Sequence, residues 1–110
     1  MNCSLEEAFS LFLRPWCENK TTLVLTVDRG LKGSERCTIL ETSPGKARVR
    51  LKSMEVNFDF SSAGFSYEDW RAGLVPELVA RKWTCFLLAE FPDDRSLLFS
   101  EPAGGLDESP

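Results

Sequence analysis

A chain of 110 residues with 43% hydrophobic and 27% charged residues has the size and composition of one ordinary globular domain, outside the disordered and membrane-spanning classes. Its net charge of −4 and pI near 4.8 exclude an overall basic footprint for nucleic acid. There is no histidine, which excludes histidine acid/base and triad chemistry, and the four cysteines (Cys3, Cys17, Cys37 and Cys85) form no C-x-x-C pair.

Ser4-Leu5-Glu6-Glu7 reads as a capping box, with Ser4 accepting from the Glu7 backbone and the Glu7 carboxylate reaching back. Leu5, Ala8, Phe9, Phe12, Leu13 and Trp16 then recur at helical spacing, and Pro15 is expected to end that helix. Such a stripe packs a helix onto a core. Its density of Phe and Trp also makes Phe9, Phe12 and Trp16 the candidate partner-contact residues.

Thr22 to Asp28 alternates with β-branched residues throughout and predicts a strand; a shorter one follows over Glu35 to Glu41, ended by Ser43-Pro44-Gly45. Lys46 to Phe60 reads in two halves. Ala47, Val49 and Leu51 point one way and Lys46, Arg48, Arg50 and Lys52 the other, whereas Met54, Val56, Phe58 and Phe60 have the opposite parity. The chain must therefore bulge, bend to another layer or turn near Lys52 and Ser53.

Ser61 to Gly64 is expected to be a connection, and Ser66-Tyr67-Glu68-Asp69 a second helix start carrying Trp70 and Leu74, with a further helical piece from Pro76 to Lys82. Two apolar runs, Trp83 to Phe91 and Ser96 to Ser100, flank Pro92-Asp93-Asp94-Arg95 and predict a hairpin. These elements give one α+β domain over 1–100 and a disordered acidic tail over 101–110. The expected architecture is a strongly bent antiparallel sheet of about five strands, partly closed toward a barrel, in the order α-β-β-β-α-β-β. No basic leader with an apolar core is visible and no apolar run reaches the roughly 20 residues that span a bilayer, so a cytoplasmic chain without a membrane partner is expected.

The Lys46, Arg48, Arg50, Lys52 stripe offers a basic strand face at the spacing of a phosphate backbone, but it lacks an aromatic stacking platform, which disfavours nucleic acid. Asp59-Phe60-Ser61-Ser62-Ala63-Gly64 resembles the D-x-S-x-x-G motif of PilZ domains, small β-barrel modules that bind cyclic di-GMP. The resemblance implies a nucleotide site including Asp59, Ser61 and Gly64, with Arg48 and Arg50 the nearest candidates for its phosphate-gripping arginines. The R-x-x-x-R element of that family is absent: Arg48 and Arg50 lie two apart and Arg29 and Arg36 seven apart.

The expected element order resembles that of type III secretion chaperones, which implies a small, acidic, homodimeric and non-catalytic protein. Adjacent carboxylates such as Glu68-Asp69 and Asp93-Asp94 fit local roles at a helix start and in a turn. No phosphate loop, nucleophile elbow, metal site or cofactor motif is present. The function expected is a non-catalytic protein-interaction module, an adaptor or chaperone-like chain that binds another protein or itself.

Overall fold

The computed structural model describes residues 1–28, 32–69 and 83–102. Among the described residues one helix, α1 (Leu5–Glu18), lies on one face of an antiparallel sheet of eight strands. The strands are β1 (Asn2–Cys3), β2 (Thr22–Asp28), β3 (Lys32–Ser43), β4 (Lys46–Arg50), β5 (Glu55–Asp59), β6 (Gly64–Asp69), β7 (Trp83–Glu90) and β8 (Ser96–Pro102). Their spatial order is β1-β6-β7-β8-β2-β3-β4-β5, so β1 and β5 are the edges and the sheet does not close.

The helix begins as its sequence dictates. Ser4 Oγ accepts from the Glu7 N–H at 3.1 Å while Glu7 Oε1 accepts from the Ser4 N–H at 3.0 Å. It does not end at Pro15. Residues Phe9–Leu13 form a π-helical turn, in which the Arg14 N–H reaches back to the Phe9 carbonyl, and regular helix resumes over Arg14–Glu18. The wider turn falls where a proline, lacking an N–H and crowding the carbonyl four residues back, would otherwise break the ladder. The helix ends at Glu18 instead, and Lys20, just past the cap residue Asn19, takes a φ of 52°. There the Lys20 N–H donates to the Cys17 carbonyl at 3.3 Å and the Thr21 N–H to the Trp16 carbonyl at 3.0 Å, a Schellman ending without its usual glycine.

The expectation of about five strands, strongly bent and partly closed, is thus corrected to eight strands among the described residues, in an open sheet. Three local causes account for most of the difference. First, the run from Lys46 to Phe60 is a hairpin of two strands, closed where the Leu51 N–H donates to the Met54 carbonyl at 2.7 Å. Its register sets Val49 opposite Val56 and Ala47 opposite Phe58. Residues directly opposite share a face, so odd positions on β4 and even positions on β5 point into the same core, which explains the change of parity.

Second, Ser66 to Asp69 belong to β6 and do not start a helix. Phe65 is buried, the Tyr67 ring sits 5.2 Å from that of Phe12, and β6 pairs with β7 from Gly64↔Glu90 to Asp69↔Cys85. Pairing and burial outweigh a local capping signal. Third, the first two residues after the start add a short edge strand, Asn2 pairing with Ser66 and Cys3 with Phe65. The expected helical segments around Trp70, Leu74 and Pro76 to Lys82 lie outside the described residues.

The C-terminal hairpin stands as its sequence reads. β7 and β8 are central strands joined by a turn in which the Phe91 N–H donates to the Arg95 carbonyl at 2.9 Å and Asp94 takes a φ of 67°. Glu101 and Pro102, expected in the tail, continue β8. Between helix and sheet the core gathers Phe9, Phe12, Leu13 and Trp16 against Leu23, Leu25, Ile39, Val49, Leu87 and Phe99. Phe60, in the short connection from β5 to β6, is fully buried, with its ring 5.7 Å from Phe65, 6.0 Å from Phe9 and Phe91, and 6.3 Å from Phe99.

Candidate functional site

Phe9, Phe12 and Trp16, the candidate partner contacts, are turned into the core at 4%, 0% and 1% exposure. Trp16 is also latched to the sheet. Its indole N–H donates to Glu101 Oε1 at 2.5 Å, while Glu101 Oε2 accepts from the Thr84 hydroxyl at 2.9 Å. A carboxylate that satisfies a buried indole is a structural fixture. The outward side of α1 carries Ser10, Leu11, Arg14 and Glu18, of which Leu11 is the large apolar one.

Arg48 and Arg50 lie on the sheet face opposite the helix, and acidic neighbours hold them there. Arg48 pairs with Glu41 at 3.8 Å and Glu55 at 3.9 Å, and Arg50 with Glu55 at 3.4 Å. Lys46 stands across from Asp59. The stripe is therefore a charge-interleaved surface, in which the arginines on β4 share carboxylates from β3 and β5.

Asp59 and Ser61 meet in a local turn. Asp59 Oδ1 accepts from the Ser61 N–H at 3.0 Å and from the Ser61 hydroxyl at 2.7 Å. Those two bonds, with help from the Lys46 charge, hold the Asp59 carboxyl below its ordinary pKa. Gly64 opens β6 opposite Glu90, and a Cβ built on it meets nothing within 4 Å. The hexapeptide thus closes β5 and starts β6; Asp59 and Ser61 come together, whereas Gly64 belongs to a different ladder from Arg48 and Arg50.

The thiols are spread over the fold. Cys37 and Cys85 are buried, Cys3 and Cys17 half-buried, and all four are free. Burial, with the Glu35 charge as a smaller cause, pushes the Cys37 thiol up to about 12. Among the described residues no group of three or more Cys, Asp or Glu side chains is placed to hold a metal ion, and no helix is long and apolar enough to cross a membrane.

Of the two sheet edges, β1 is two residues long, and β5 is the longer one, with no strand on its outer side among the described residues. In antiparallel ladders residues alternate between pairs that exchange both backbone bonds and pairs that exchange none. The Leu51 N–H donating to Met54 and the Phe60 N–H donating to Gly45, both at 2.7 Å, fix the phase. Val56 and Phe58 accordingly point their backbone groups at β4, and Glu55, Asn57 and Asp59 point theirs at the open side. Three donors and three acceptors form a row along that edge.

The side chains of β5 alternate in the same register. Glu55, Asn57 and Asp59 are exposed on the face away from the helix. Val56 and Phe58 are on the core side yet only half-buried, because the helix makes its main sheet contacts with β3 and β6. An additional strand would cover both. The alternation of Val56 and Phe58 is legible in sequence, but edge position depends on pairing between distant segments and leaves no local signal.

Comparison with protein-family models, with curated proteins and with solved structures finds no match to this chain.

Proposed function

We propose that the chain is a non-catalytic protein-interaction module that takes up an extended segment of another protein along the free edge of β5. The observation that carries this reading is the row of outward backbone groups on Glu55, Asn57 and Asp59 beside two incompletely buried apolar side chains, Val56 and Phe58. Main-chain bonds supply affinity in strand addition, and alternate side-chain positions supply selectivity. A short edge strand flanked by carboxylates is guarded against indiscriminate pairing, which suits uptake of a chosen segment.

Self-association is the weaker form of the same idea. Full-length antiparallel pairing of two β5 strands, centred on Asn57, sets Glu55 against Asp59 of the second copy, and like charges directly opposite are destabilising.

The test uses proline at the one position that separates edge from ladder. Asn57 points its N–H outward, so Asn57→Pro deletes the central donor of the edge while leaving the β4–β5 bonds in place. A fluorescent peptide with alternating Val and Thr, titrated into the full chain by anisotropy, should bind the natural protein and lose binding to Asn57→Pro. Equal binding to both proteins would sink the reading. Light scattering should find no dimer that the same substitution dissolves.

A further inference from the structure

We infer that the segment β5 accepts is basic at the two positions opposite Glu55 and Asp59 and apolar at the two positions beside Val56 and Phe58, a five-residue pattern of basic, apolar, any, apolar, basic. The inference rests on the reading of β5 as a strand acceptor and names the chemistry of what it accepts.

Three observations converge on it. Glu55 and Asp59 lie on the same face at the two ends of β5, with Asn57 between them, so the edge presents a carboxylate at each end of the outward row. Val56 and Phe58 occupy the intervening core-side positions and stay half-buried. The inner edge of β5 is already occupied by a strand of the inferred kind: β4 reads Lys46-Ala47-Arg48-Val49-Arg50, exposed and buried in strict alternation. In that pairing Lys46 stands opposite Asp59, Arg50 opposite Glu55, Ala47 opposite Phe58 and Val49 opposite Val56. β5 has thus been matched once, within this chain, to an antiparallel strand with basic ends and small apolar inner residues.

The second partner would meet the same set of side chains from the other side. A carboxylate has four acceptor positions. Glu55 uses its two oxygens on Arg48 and Arg50 at 3.9 and 3.4 Å, and Asp59 uses one oxygen on Ser61, so acceptor capacity remains at both ends for an incoming Lys or Arg. Asp59 is an exposed carboxylate, held below its ordinary pKa by its bonds from Ser61. An acidic segment would face two like charges in the same places, and opposite-charge and like-charge pairs across strands act in opposite senses.

The experiment compares three capped peptides on the full-length protein at low salt: Ser-Lys-Val-Thr-Val-Lys-Ser, its Thr-for-Lys counterpart and its Glu-for-Lys counterpart. The basic peptide should bind on the order of tenfold more tightly than the acidic one, with the neutral peptide between them. The preference should shrink as salt rises, because both carboxylates are exposed. Glu55→Gln should reduce the basic-over-acidic ratio to about threefold, one of the two charges being gone. If none of the three peptides binds, the reading of β5 as an acceptor falls. If all three bind alike, or the acidic one binds best, the acceptor stands and the basic pattern is overturned.

Discussion

The Trp16–Glu101 latch makes a stability prediction that can be worked from its geometry. Trp16 is 1% exposed, and its indole N–H donates to Glu101 Oε1 at 2.5 Å. Glu101→Leu strands that donor inside the core, at a cost of about 1–3 kcal/mol for an unsatisfied buried group. The Thr84 hydroxyl is hurt less, since it also lies 3.1 Å from the Glu101 carbonyl oxygen and can turn to it. A net loss of about 2 kcal/mol follows, which for a domain of this size lowers Tm by roughly 10 °C. Glu101→Gln keeps one side-chain acceptor and should lose about half as much, ~1 kcal/mol. Urea unfolding followed by circular dichroism gives the free energies. A cycle with Trp16→Phe should show a coupling of about 1–2 kcal/mol between the two sites. If Glu101→Leu costs under about 0.5 kcal/mol, or the two substitutions add without coupling, the latch does not act as described.

Phe12 has no exposed surface and its ring is 5.5 Å from Trp16 and 5.2 Å from Tyr67, so Phe12→Ala should destabilise by about 3–5 kcal/mol while leaving peptide binding at β5 intact in the molecules that remain folded. Lys20 occupies the left-handed region at φ 52°, where a side chain is penalised, and Lys20→Gly should raise stability by about 0.5–1 kcal/mol in urea titrations. Cys37 binds its proton more tightly folded than unfolded, so its contribution to stability is fully present below pH 9.0, the ordinary thiol value, and is lost as pH rises toward about 12. In native protein at pH 8 an alkylating reagent should label the half-buried Cys17 and Cys3 and spare Cys37 and Cys85, as read by mass spectrometry; labelling of Cys37 at the same rate as Cys17 would contradict its burial.

Where local chemistry decided the structure, the sequence was readable. The Ser4–Glu7 cap, the apolar stripe of the helix and the β7–β8 turn with its Pro and Asp residues all fold as their residue types require. The helix end was missed because a π-helical turn accommodates Pro15 and because Lys20, not a glycine, takes the left-handed position. Ser66 to Asp69 carried a helix-start pattern that sheet pairing overrode, and Glu101 looked like tail until the Trp16 indole gave it a partner. The parity change after Ser53 was plain in the residues. That it marks two antiparallel strands in one sheet depends on the Leu51–Met54 closure, a contact rather than a composition. The candidate site suffers from the same limit: Val56, Phe58 and their carboxylate neighbours are visible as an alternating run, while the edge position of β5 among the described strands is a property of the assembled sheet.

The most direct test is to map amide shifts in a nitrogen–proton spectrum of the labelled full chain as the basic Val-Thr-Val peptide is added. Strand addition predicts saturable shifts centred on Glu55, Asn57 and Asp59, with slowed hydrogen exchange at those three amides and none of this in Asn57→Pro. Shifts centred on another surface, or exchange at Glu55, Asn57 and Asp59 unchanged at saturating peptide, would contradict it.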